Sequence, residues 1–223
     1  MVATRRRRHQ KSPLSGSEPD YKPSVWNKDQ GIRRSHNCYS YATGQISQAA
    51  ATKCRTSQSA KDEKVLCKTP QPGHVSGFPR MRNTPRKTCT DISARTMTDN
   101  ISIIRTTFAE RCPVGTSKIA LATSPEQDYH YYRQDNNGFW SHKPGRKPVT
   151  NKDASGKLII NPEMANRDYR TEESKLNYDN FCGYMCVPRG TSLALVAGSR
   201  QRKKIKKMVK VPKYLQPFEA MTM

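Results

Sequence analysis

Two basic blocks frame this chain and limit where a core can form. Arg5, Arg6, Arg7 and Arg8 crowd the first, and the second runs from Arg200 to Lys213 with Arg202, Lys203, Lys204, Lys206, Lys207 and Lys210. Clustered like charges repel and bury little apolar surface, so the foldable material lies between them. The whole chain of 223 residues has 40 Lys and Arg against 18 Asp and Glu, a formal charge of +22, and only 34% hydrophobic residues. Such a composition supports one modest domain with appended segments. The expected division is a basic extended arm over 1–34, an α+β core over 35–190 and a basic tail over 191–223. The tail's Ile205, Met208 and Val209 alternate with charge as a short amphipathic helix would before Pro212.

No run approaches the roughly 20 apolar residues that span a bilayer. The first residues also lack the apolar stretch of a secretory leader, and seven scattered cysteines make a reducing, cytosolic origin the default expectation. Within the core, Asn37 is a helix N-cap and Tyr41 to Thr52 reads as a helix despite Gly44. Asp99 to Arg111 reads as a second, stopped before Pro113. Lys118 to Thr123, Asp128 to Gln134 and Gly138 to His142 are strands, the last two joined through Asp135-Asn136-Asn137-Gly138, whose Asn and Gly suit a tight hairpin. Short strands at 149–151 and 158–161 follow. Pro and Gly punctuate 61–87 as loops.

The chemistry-bearing candidates are Cys38, His130 and His142. A thiol reacts as its thiolate, which a helix N-terminus favours, and an imidazole held by a third polar group would take and return the proton. Cys38 opens the helix, His130 lies on one strand and His142 on the next. Register decides the pairing: a two-residue loop sets the imidazoles on opposite faces, while a three-residue connection or a bulge at Gly138 brings them to one face. Cys182 and Cys186 form a C-x3-C pair that reads as disulfide or buried thiols rather than zinc, because structural zinc sites repeat a tighter pair. No metal or cofactor is assigned.

Asn37-Cys38-Tyr39-Ser40-Tyr41-Ala42, then His130, then His142 resembles the Cys, His, polar-residue order of the papain-like NlpC-type and CHAP-type cysteine amidases. The resemblance implies a papain-like α+β core with a helix after Cys38, a small antiparallel sheet, and a thiol nucleophile with its base and orienting residue. Bulky Tyr39 and Tyr41 depart from the small residues that follow the amidase cysteine. The block from Asp128 to Gly145 resembles uncharacterised proteins of large DNA viruses and some bacteria. The function expected from charge and this block is a minor capsid or virion-associated structural protein, located in the virion and, during assembly, in the host cytoplasm. Its two basic segments would clamp acidic surfaces of neighbouring subunits. The alternatives are a thiol hydrolase built on Cys38, and nonspecific binding of nucleic acid or anionic lipid headgroups through counterion release.

Overall fold

In a computed structural model, residues 10–84 and 86–190 are described; the Arg5 to Arg8 cluster and the Arg200 to Lys213 block lie outside them. Among the described residues, six helices precede or flank a five-stranded antiparallel sheet. They are α1 (Pro23–Asn27), α2 (Gln30–Ser35), α3 (Cys38–Thr43), α4 (Gln48–Arg55), α5 (Ala60–Leu66) and α6 (Cys89–Asp99). The strands are β1 (Ile104–Thr106), β2 (Thr116–Ser124), β3 (Asp128–Gln134), β4 (Trp140–His142) and β5 (Asn180–Pro188), in spatial order β1-β5-β2-β3-β4. This bears out the α+β class. Among the described residues no helix is long and apolar enough to cross a membrane.

Alternation along β2 and β3 feeds two cores, because successive side chains leave a strand on opposite faces. Ile119, Leu121, Tyr129 and Tyr131 pack on one face with Cys38, Tyr39 and Ala42 of α3 and Ile92 of α6. Ala120, Ala122 and Tyr132 pack on the other with Trp140, Ile159, Tyr178 and Tyr184. Central β2 is buried along nearly its whole length, as a strand covered on both faces must be. A third cluster of Trp26, Ile32, Tyr41, Ala51 and Val149 seats α1, α2 and α4 against the body.

That third cluster corrects the expectation of an extended arm over 1–34. Residues 10–34 pack: Trp26 is buried edge-on to Tyr41 with ring centroids 5.0 Å apart, and Ser12 Oγ donates to the Phe108 carbonyl at 2.7 Å. A single aromatic anchor supplies what the sparse aliphatic content hid.

The expected helix over Tyr41 to Thr52 is two. Gly44, at φ 74°, closes α3 in the left-handed conformation, its N–H bonding back to the Tyr41 carbonyl, and Ser47 caps α4. The helix expected at Asp99 to Arg111 ends where it was to begin. Thr88 caps the observed α6, and extended Asn100 turns the chain so that Ile103 enters the core before β1. The three strands expected around His130 form close to their expected bounds, whereas 149–151 and 158–161 contribute isolated bridges to β4, Thr150 to His142 and Ile159 to Trp140.

All seven cysteines are described, and six pair: Cys54–Cys67, Cys89–Cys182 and Cys112–Cys186. Cys38 is the free thiol. Cys182 and Cys186 thus join different partners, tying β5 to α6 and to the segment before β2. Disulfides of this number form and persist in oxidising compartments, which corrects the reducing, cytosolic expectation.

Candidate functional site

The hairpin between β3 and β4 settles the register. Asp135 N–H donates to the Phe139 carbonyl at 2.9 Å, so 136–138 form a three-residue connection with Gly138 at φ 79°. Tyr132 then faces His142 and Gln134 faces Trp140 across the pair. Even positions meet even positions, and both imidazoles share a face. His130 Nε2 and His142 Nδ1 are 2.7 Å apart, and His142 Nε2 lies 2.8 Å from the Lys152 carbonyl.

That carbonyl fixes the proton positions along the chain. It only accepts, so His142 Nε2 carries hydrogen and, in the neutral ring, His142 Nδ1 holds a lone pair. His130 Nε2–H donates to that lone pair, which leaves His130 Nδ1 as the unprotonated nitrogen. Burial holds both rings neutral: it drives His130 well below the ordinary histidine range, aided by the neighbouring His142, and lowers His142 to about 4. The two imidazoles thus form one buried hydrogen-bonded pair whose proton positions are set by the Lys152 carbonyl.

Cys38 arrives from the other core. Asn37 caps α3 reciprocally, its Oδ1 accepting from Ser40 N–H at 3.2 Å while its own N–H donates to Ser40 Oγ at 2.9 Å. Its amide donates to the Pro70 carbonyl at 2.8 Å, anchoring the helix start to the following loop. β4 pairs β3 only from Tyr132 to Gln134, so β3 has an unpaired edge beside His130. The Cys38 thiol occupies that edge, donating to the Tyr129 carbonyl at 3.8 Å.

Cys38 and His130 line one cavity of about 240 Å³, together with Asn37, Thr69, Gln71, Met81, Asp128, Tyr129, Gly145 and Arg146. The structure therefore brings the three candidates to one locality, with His130 bonded to His142 and Cys38 bonded to the strand backbone. The thiol rests neutral: burial first, and the Asp128 carboxylate second, push Cys38 up to about 12. Tyr39 and Tyr41, fully buried, pack away from this mouth; Tyr39 Oη donates to Asp99 at 2.7 Å and Tyr41 Oη pairs with Ser141 Oγ at 2.7 Å.

Sequence reasoning missed Asp128 and Arg146. Asp128 opens to solvent while protein crowds its carboxylate, which accepts from Tyr178 Oη at 3.0 Å and from Tyr129 N–H at 2.8 Å. Its position two residues before His130 on the same strand was the available signal, since i and i+2 share a face. Arg146 reaches Glu63 at 2.7 Å and the Cys67 carbonyl at 3.1 Å, contacts between distant segments that no local pattern announces. Among the described residues no group of three or more His, Cys, Asp or Glu is placed to hold a metal ion.

No family model matches the chain, and no solved structure matches it. Among curated proteins, insoluble matrix shell protein 1 of Ruditapes philippinarum is 33% identical over 168 residues, 75% of this chain and 88% of the relative. A relative named for the insoluble matrix of a shell overturns the expected minor capsid role, and with it the virion and host-cytoplasm locations. With identity of this extent over most of both proteins, the chain belongs to the family of insoluble matrix shell protein 1.

Proposed function

We propose that this protein is a structural component of an insoluble extracellular matrix. The observation that carries the reading is the relative, whose similarity spans three quarters of the chain. Two features of this molecule fit it. Three disulfides lock the described body, as suits a small core exposed to an oxidising exterior. A charge of +22 favours retention on anionic matrix polymers by releasing their condensed counterions. Acidic surfaces are thus the partners this reading names, with Arg5 to Arg8 and Arg202 to Lys210 among the cations available to them. An antibody to this protein should label the residue left after detergent and salt extraction of the source tissue's matrix. Recovery of the protein in the soluble cell fraction would refute the reading.

A second reading attaches to the imidazole pair. We infer a papain-like body, because the helix opened by Cys38 packs on the strand that bears His130, and the Lys152 carbonyl, acting through His142, leaves His130 Nδ1 with a lone pair suited to a base. In this reading His130 Nδ1 takes the Cys38 proton as sulfur attacks an amide carbonyl. The C–N bond breaks, the amine leaves with that proton, and water releases the acyl group as a carboxylic acid while the thiol regains its hydrogen. The test is the rate of Cys38 carbamidomethylation by iodoacetamide between pH 6 and 10. A rate that His130→Ala reduces at least tenfold supports the reading; a slow thiol indifferent to His130→Ala refutes it.

A further inference from the structure

The cavity holds two charged side chains, and they differ in how well they are compensated. Arg146 sits 2.7 Å from Glu63, which also receives Arg34 at 2.6 Å, and donates to the Cys67 carbonyl at 3.1 Å. Its charge is answered from outside the cavity. Asp128 has no ion-pair partner within 4 Å among the described residues; its hydrogen-bond contacts are the neutral Tyr178 hydroxyl and the Tyr129 N–H, and the Lys87 ammonium acts on it only from beyond ion-pair distance. An ionised carboxylate held by neutral donors in a crowded site attracts a cation more strongly than one already paired. The same carboxylate is close enough to Cys38 to oppose formation of its thiolate.

We propose that this cavity is a cation-recognising subsite in which Asp128 receives a lysine or arginine side chain and sets the adjoining peptide beside Cys38. The volume of about 240 Å³ admits one such side chain and little more. Occupation would cancel the Asp128 charge that disfavours the thiolate, so the thiol would gain reactivity as the cation seats. The substrate class is therefore a basic peptide. Its chemical use rests on the thiol reading above, whereas the recognition of charge is measurable apart from it.

Cys38 is the free thiol of a chain whose other six cysteines are paired, so its modification can be followed on the intact, oxidised protein. Two methanethiosulfonates of similar size serve as probes, one bearing an aminoethyl group and the other a sulfonatoethyl group. Each transfers its thioalkyl group to the Cys38 sulfur and releases methanesulfinate. A net charge of +22 favours the anionic reagent everywhere on the surface, so a preference for the cationic one must come from the cavity. The expected result is modification about tenfold faster by the cationic reagent, as one partly screened charge at short range produces. Asp128→Asn should bring the ratio to one or below, and Asp128→Glu should retain it. A ratio unchanged by Asp128→Asn, an anionic preference in the natural protein, or failure of both reagents to reach Cys38 would each overturn the proposal. A conserved ratio with a rate indifferent to His130→Ala would instead sink the thiol reading and leave the subsite standing.

Discussion

Removing one disulfide at a time should destabilise the protein in the order of the loops they close. Cys112–Cys186 spans 74 residues and Cys54–Cys67 spans 13. In the chain-entropy description the closed loop removes freedom from the unfolded chain in proportion to the logarithm of its length. That gives about 4.5 kcal/mol for the long loop and about 3 kcal/mol for the short one at 25 °C. Replacing both cysteines of a pair by alanine also deletes two buried sulfurs, but all four residues are almost fully buried, so this loss is similar in the two variants. The difference of about 1.5 kcal/mol therefore reports loop length. Urea denaturation of Cys112→Ala/Cys186→Ala and Cys54→Ala/Cys67→Ala, without reductant, would measure it. Domains of this kind have a total stability of about 5–15 kcal/mol, so the long-loop variant should sit near the edge of folding. Equal midpoints, or a larger loss from the short loop, would refute the loop argument. Such a result would place the stabilisation in native packing around the bridges.

Gly31→Ala should lower stability by about 2 kcal/mol or more, although alanine is the better helix former, because an added Cβ would lie 2.4 Å from the Ala51 carbonyl where α2 crosses α4; an unchanged urea midpoint would contradict that close approach. Acid should weaken the fold through the paired imidazoles. A folded value of about 4 for His142, against the ordinary 6.5, means that the unfolded chain takes up a proton first. Stability should therefore fall as pH drops from about 6.5 to 4, by up to about 3 kcal/mol, and His142→Asn, which keeps a polar atom near the Nδ1 position and does not titrate, should flatten the slope. Lys143→Met should cost about 2–4 kcal/mol in denaturation experiments, since the buried ammonium donates to the carbonyls of Arg33, Gly145 and Lys147 at 2.6, 2.7 and 3.2 Å and methionine leaves all three without a donor.

Local chemistry was legible in the sequence, and long-range pairing was not. The β3 and β4 strands, the Asn37 cap and the loop alternatives at Gly138 could be read because each depends on residues within a few positions. The sequence posed the register question, and a single bond from Asp135 to Phe139 answers it. β5 went unread because Cys182, Gly183 and Cys186 interrupt its pattern and suggested a metal or disulfide motif. It is a strand because β1 and β2 both pair with it, a condition set by residues some 60 to 80 positions earlier. Residues 10–34 were read as unpacked for the same reason. Their composition is poor in aliphatic side chains, but Tyr41, Ala51 and Val149 supply the surface that Trp26 and Ile32 need. At the site, His130 and His142 were recoverable from order alone. Lys152 enters through its carbonyl, which every residue possesses, so no sequence signal marks it.

The odd cysteine count has a physical consequence that links the scaffold to the site. In an oxidising exterior a free thiol exchanges with disulfides at a rate set by its thiolate fraction and by access. Burial and the Asp128 carboxylate keep Cys38 protonated, and its sulfur is turned toward the Tyr129 carbonyl at the β3 edge. Both conditions slow exchange with the three bridges, so the same surroundings that suppress reactivity also preserve the single unpaired sulfur. A cation on Asp128 relaxes the electrostatic part of that protection while leaving the burial in place. In the proposed subsite the thiol would thus gain reactivity only while the cavity is filled, when access for a competing disulfide is least.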